Sequence, residues 1–171
     1  MSAEHLFTTE RLEARRLQAE DALAMHAIFG DGECMRYVDD GEIMTAEQCR
    51  SWIVDVTDRN FEMRGYGLIG FWERTADKLV GCGGLFHPNQ QEQAEVMYWL
   101  VRDCWGKGLA TEIVRSLVQF AKPLWGVETM IATIHPDNLA SQRVVAKVGF
   151  QRLADRTEAD GECTQVWALG H

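Results

Sequence analysis

The chain has 171 residues, 46% hydrophobic and 25% charged, so it is long enough to bury a core and has an ordinary globular composition. Its formal net charge of −9 argues against general nucleic-acid binding; it serves solubility and, on a second reading, draws in a cationic substrate such as an amine. No apolar run reaches membrane-spanning length, the start "MSAEHLFTTE" lacks the basic and apolar parts of a secretory signal, and five scattered cysteines without a CxxC pair read as reduced thiols of a cytoplasmic protein, not as a disulfide frame or zinc site.

No repeat, low-complexity tract or Pro/Gly/Ser linker breaks the chain, so residues 1–171 read as one domain. "RLEARRL" (Arg11–Leu17) alternates as a strand does. "AEDALAMHAIF" (Ala19–Phe29) reads as a helix ended near Gly30. "TAEQCRSWIVDVTDRN" (Thr45–Asn60) opens with Thr45 and carries Gln48 three residues on, the pattern of a capping box. The period then changes: "YGLIGFWER" and "LVGCGGLFH" are strand-like runs around the turn "TADK", and "AEVMYWLV" (Ala94–Val101) is a third strand. A glycine loop and a helix follow, with Leu109, Ile113, Leu117 and Phe120/Ala121 near helical spacing and Pro123 as its expected stop. "ETMIATIH" is a strand, "NLASQRVVAKV" a helix closed by Gly149, and "FQRLADR" and "CTQVWAL" are final strands. This order predicts an α+β fold with a mixed sheet flanked by helices. Its strand–loop–helix unit at Ala94–Lys122 is the functional candidate, because ligands favour the carboxyl ends of strands.

The loop "DCWGKGLATE" suits a phosphate. Gly106 and Gly108 let backbone approach closely, and the following helix start offers free N–H groups and a positive dipole end. A Walker loop fails here, because Val101 stands where its first glycine belongs. A dinucleotide GxGxxG fails at its third place, which holds Thr111. A tight turn using glycine for geometry alone remains open from the loop itself. The histidines and cysteines show no metal-ligand spacing, and the tryptophans form no ladder for stacking bases.

Taken together, "AEVMYWLVRDCWGKGLATEIV" and "HPDNLASQRVVAKVGF" resemble the GNAT superfamily of acetyl-CoA-dependent N-acetyltransferases. "TTERLEARRLQAEDA" and "MRYVDDG" look like its branch that acetylates ribosomal-protein N-termini. The resemblance implies the GNAT fold, with a centrally splayed sheet, and acetyl-CoA as co-substrate. By the same resemblance, the loop around Trp105, Gly106, Lys107, Gly108, Leu109, Ala110 and Thr111 cradles the pyrophosphate with backbone N–H groups. The superfamily often has Gln or Arg three places before the first glycine; here that place is Asp103, beside Arg102. The strand residues Tyr98, Trp99, Leu100 and Val101 match the splayed strand that bonds the pantetheine arm, and a backbone N–H near Tyr98 stabilises the thioester oxyanion. Asn138 matches a cofactor-contacting Asn, and Ser141, one helical turn on, is the candidate donor to the departing thiolate. Many relatives place a Tyr four residues after this Ser; here that place is Val145. The competing reading of Ser141 is a helix-start hydroxyl bonded to backbone.

Glu95 opens an apolar strand on the face of Met97 and Trp99. A solvated edge explains it blandly; the resemblance makes it the general base, acting through water. The acidic loop residues Asp39, Asp40 and Glu42 border the acceptor cleft in the family and would attract a cation, while a plain polar loop is the alternative. At pH 7, deprotonating an α-amino group of pKa about 8 costs roughly 1.4 kcal/mol, against roughly 4.6 kcal/mol for a lysine at about 10.4. The expected activity is direct acetyl transfer to a primary amine, foremost a protein N-terminal α-amino group of the ribosomal-protein type. The alternatives are a small-molecule amine (antibiotic, polyamine or amino acid) and a non-catalytic acyl-CoA-binding module. No nucleic-acid or membrane partner is expected, and the branch often forms homodimers.

Overall fold

The structure is a computed structural model that describes residues 4–88, 91–158, 161 and 163–170. Nine strands form one mixed sheet, ordered β1-β2-β3-β4-β5-β6-β9-β7 with β8 paired to β9. The N-terminal half is an antiparallel meander: β1 (His5–Thr8), β2 (Leu12–Arg16), β3 (Leu68–Glu73), β4 (Lys78–Phe86) and β5 (Ala94–Leu100). The neighbours β5 and β6 (Met130–Ile134) are parallel. Beyond them lie β9 (Cys163–Leu169) and the short strands β7 (Gln151–Arg152) and β8 (Arg156–Thr157).

Helices cover both faces, and alternation along the strands divides the core between them. On one face, Ile113, Leu117 and Ala121 of α5 (Leu109–Trp125) pack on Val80, Val96 and Leu100. On the other, Met25, Ile28 and Phe29 of α1 (Ala22–Phe29) and Cys49 of α3 (Ala46–Ser51) pack on Leu68, Trp72 and Cys82. The capping box predicted at Thr45 is present. Thr45 Oγ1 accepts from the Gln48 amide at 3.2 Å, and Gln48 Oε1 accepts from the Thr45 amide at 2.7 Å. The helical run continues through a wider turn (Trp52–Thr57) into α4 (Asp58–Arg64), ended by Gly65 in the left-handed region. Two shorter elements complete the description, α2 (Gly32–Met35) and α6 (Leu139–Val148).

The structure adds β1 and α2 to the sequence reading, forms the two short strands β7 and β8 where "FQRLADR" predicts one, and extends α5 past its expected end. The strand β1 is too short to show a period; tertiary packing makes it, with the Phe7 ring stacked on Phe120 at 4.3 Å. Pro123 does not stop α5, which runs to Trp125 and ends at Gly126 with φ +70°. The proline sits in the last turn, where the i−4 carbonyl it cannot serve belongs to exposed Gln119, so the lost bond leaves no buried polar group.

The seat of α5 depends on glycines in β4. A Cβ on Gly81 would lie 2.7 Å from the Trp99 carbonyl oxygen and 3.0 Å from Ile113 Cδ1. Glycine here lets α5 settle directly on the sheet beside the loop that precedes it. Gly81→Ala is therefore expected to lose about 1–3 kcal/mol through overpacking, read as a lower urea midpoint at unchanged m-value.

Candidate active site

The site begins where two strands part. The parallel ladder of β5 and β6 comprises Ala94–Met130 and Glu95–Ile131 and goes no further. At the fork, the Thr133 amide that a continuing ladder would use instead donates to Glu95 Oε1 at 3.2 Å. The Thr133 hydroxyl donates to the same oxygen, and Gln91 Nε2 donates to Glu95 Oε2 at 3.2 Å. Glu95 is thus 2% exposed yet fully engaged, satisfying backbone that the fork leaves unpaired. At the open end of β5, the Leu100 carbonyl accepts from Trp105 Nε1 at 3.1 Å and from the Cys34 thiol at 3.4 Å.

A cleft of about 500 Å³ fills the space that the fork opens. Tyr98, Trp99 and Leu100 form its floor from β5. Trp105, Gly106 and Gly108 supply one wall, continued by Leu109, Ala110 and Thr111 of α5. Asn138 and Ser141 supply the opposite wall from the start of α6. Gly106 and Gly108 have φ of +74° and +78°, a conformation that side chains disfavour. Among the described residues, the N–H groups of Gly106, Lys107 and Gly108 have no intrachain acceptor, and they precede the N-terminus of a 17-residue helix. Free N–H groups at a positive dipole end form an anion cradle that needs no cationic side chain. The residues present therefore fit a phosphate-bearing cofactor, which the amides of this loop would hold.

Asn138 is the N-cap of α6, its Oδ1 accepting from the Ser141 amide at 3.1 Å. This bond fixes the first turn and with it the Ser141 side chain. The Ser141 hydroxyl does not bond the backbone of its own helix. It meets the Tyr98 hydroxyl at 2.6 Å, and Tyr98 Oη is also 3.3 Å from the Ser141 carbonyl. Burial pushes the Tyr98 phenol up to about 12, with the Ser141 hydrogen bond pulling the other way. It is therefore protonated throughout the neutral range. Cys34 lines the same cleft, but burial pushes its thiol up to about 11, so it is no thiolate nucleophile near pH 7.

Other residues singled out from the sequence lie elsewhere. Glu95 is absent from the cleft lining, as are Val101 and the Lys107 side chain. Val101 still pairs with β4 through its amide on the Val80 carbonyl at 3.0 Å. Asp39, Asp40 and Glu42 are exposed and outside the cleft, and Asp40 closes a local turn by accepting from the Glu42 amide at 3.0 Å. From that part of the chain it is Glu33, Arg36 and Tyr37 that reach the cleft, with the Tyr37 ring stacked on His135 at 5.1 Å. Arg102 turns away from the loop to pair with Asp31, and Asp103 is exposed. Sequence reading missed the phenol of Tyr98 and the Glu33–Tyr37 wall. Strand alternation placed Tyr98 opposite Trp99, which was the available signal for the former; the latter left none.

Residues 11–151 match the acetyltransferase (GNAT) domain. The uncharacterized N-acetyltransferase YoaA of Bacillus subtilis (strain 168) is 31% identical over 149 residues, covering 86% of this chain and 83% of its own. Among solved structures, the ribosomal L7/L12 alpha-N-protein acetyltransferase RimL in complex with coenzyme A superposes with a TM-score of 0.81 at 16% identity, over 97% of both chains. The microcin C7 self immunity acetyltransferase MccE, in complex with acetyl-CoA and AMP, superposes with a TM-score of 0.79 at 14% identity, over 95% of this chain and 94% of that one. The matched domain, the sheet that forks beside a free-amide loop, and neighbours that hold coenzyme A in this fold agree, and the chain belongs to the GNAT family of acetyl-CoA-dependent N-acetyltransferases.

Proposed function

We propose that this enzyme transfers acetyl directly to an α-amino group at a protein N-terminus, in the cytoplasm, with Ser141 as proton donor and Glu95 as base. The observation that carries the chemical part is the 2.6 Å contact between Ser141 and Tyr98 inside the cleft. A protonated phenol that donates to Ser141 Oγ frees the Ser141 proton for the sulfur leaving the thioester. The phenol then stabilises the charge growing on Oγ. Backbone N–H of β5 near Tyr98, on the open side of the fork, supports the carbonyl oxygen as charge builds there.

Alternation sets Glu95 on the face of β5 opposite Tyr98, so the amine and the thioester approach from different sides of the strand. Glu95 itself is buried, but Thr133 is partly exposed and hydrogen-bonded to it. The proton of the amine reaches the carboxylate through that hydroxyl or a water resting on it. A base so enclosed suits an amine that deprotonates at modest cost, which favours an α-amino group over lysine. RimL, named for the α-amino group of a ribosomal protein, supports the protein acceptor. MccE, an immunity enzyme against a microcin, supports the second reading, acetylation of a small-molecule amine.

Thiol release measured with acetyl-CoA and a panel of N-terminal peptides, ribosomal proteins, polyamines and aminoglycosides separates these readings. Peptides that react only when their N-terminus is free are expected; turnover confined to small amines would replace this acceptor class, and tight cofactor binding with no turnover on any amine would indicate a binding module. Ser141→Ala should lower kcat by about 10²-fold with little change in acetyl-CoA affinity. For Glu95→Gln, activity should fall by about 10²-fold, because a carboxamide cannot take up the proton of the amine. An unchanged rate would remove the base role.

A further inference from the structure

The turn of the β1–β2 hairpin lies against the phosphate loop, joined through one arginine. Arg11 Nη1 donates to the Lys107 carbonyl at 2.8 Å, and Arg11 Nε donates to Glu112 Oε2 at 2.6 Å. The Arg11 amide at 2.9 Å and the Thr9 hydroxyl at 2.6 Å both donate to Glu112 Oε1. Arg11 Nη2 is the nearest atom to a Cβ built on Gly108, at 3.6 Å. These contacts join segments about a hundred residues apart and border a second cavity of about 460 Å³ that shares Gly108, Thr111 and Lys147 with the active-site cleft.

We propose that Arg11 is a positioning residue for the phosphate loop, aiming the Gly108 N–H into the cleft and neutralising Glu112 at the mouth of the anion site. The first part follows from peptide geometry. In a trans peptide unit the carbonyl of one residue and the N–H of the next point in opposite directions. Arg11 holds the Lys107 carbonyl from the hairpin side, so the Gly108 N–H leaves on the other side, where Gly108 lines the cleft. A loop with two glycines would otherwise sample many orientations, and ordering it on binding would weaken affinity.

The second part is electrostatic. Glu112 lies in the first turn of α5, where a carboxylate favours the helix dipole but opposes a phosphate bound at the same end. Burial pushes the Glu112 carboxyl up, but the Thr9 hydroxyl and the Arg11 amide and guanidinium outweigh it and hold the group below its usual range. Glu112 is therefore charged at neutral pH, and Arg11 supplies the compensating charge at contact distance. Arg102, the other arginine near the loop, pairs with Asp31 instead.

The inference rests on acetyl-CoA binding alone, not on the acceptor or on the roles of Ser141 and Glu95. Its test is calorimetric titration with CoA, which needs no acceptor, beside turnover with acetyl-CoA and with S-acetylpantetheine, which lacks the phosphates. Arg11→Ala is expected to weaken CoA binding about tenfold and to raise the KM for acetyl-CoA, while kcat/KM for S-acetylpantetheine stays within about twofold. Adding Glu112→Gln to Arg11→Ala should restore part of the CoA affinity by removing the bare carboxylate, a rescue that a purely structural role would not give. Arg11→Lys, which keeps the charge but loses the fork, should fall between wild type and Arg11→Ala and serves if the alanine variant melts too low to titrate. Unchanged CoA affinity in Arg11→Ala and Arg11→Lys, or an equal loss for both acetyl donors, would overturn the proposal.

Discussion

The parting of β5 and β6 is the constraint on which the rest depends. Two parallel strands joined by a long crossover helix would ordinarily pair along their length. Here they pair at two positions and then diverge, and every backbone group released must find another partner or face a ligand. Glu95 takes the Thr133 amide at the fork, and Trp105 and Cys34 take the Leu100 carbonyl at the open end. Between them lies the cleft, with Tyr98 on its floor. The carboxylate that stabilises the fork is the same group proposed as base, so fold and chemistry draw on one side chain.

The loop and its helix apply a second physical economy. Net charge is −9, yet the site must hold a polyanion. Backbone N–H groups and a helix N-terminus offer an anion site there, beside Arg36, Arg143 and Lys147, which also line the cleft. The one carboxylate in the first turn, Glu112, is matched by Arg11 from the N-terminal hairpin. The short first strand thereby acquires a purpose: β1, held by Phe7 on Phe120, secures the hairpin whose turn reaches the loop.

The relation between sequence and site is uneven in an instructive way. Asn138, a cofactor contact by resemblance, is the N-cap of α6, a local bond that orients Ser141 three residues on. In the sequence, Val145 stands four residues after Ser141, where a tyrosine often lies. The structure buries Val145 in the core and brings a tyrosine hydroxyl to Ser141 from β5 instead. The acidic run at Asp39, Asp40 and Glu42 is exposed and lies outside the cleft, whereas Glu33, Arg36 and Tyr37 just before it line the cleft.

The sequence by itself determined the elements and the loop. Alternation, helical spacing, the Thr45–Gln48 cap and the glycines at positions 106 and 108 are local signals, and each acts within a few residues of where it is written. The pairing of WGxGxA with NxxSxxVxxKxGF carried the family for the same reason, because both segments keep their residues in fixed short spacing. Tertiary structure alone decided which side chains meet. Tyr98 and Ser141 are 43 residues apart, Glu95 and Thr133 are 38 apart, and Arg11 and Glu112 are 101 apart. Their contacts follow from sheet order, from the register of β5 against β6 and from the point at which those strands separate. Periodicity fixes the face on which a side chain stands, but only packing of the whole sheet fixes what stands opposite.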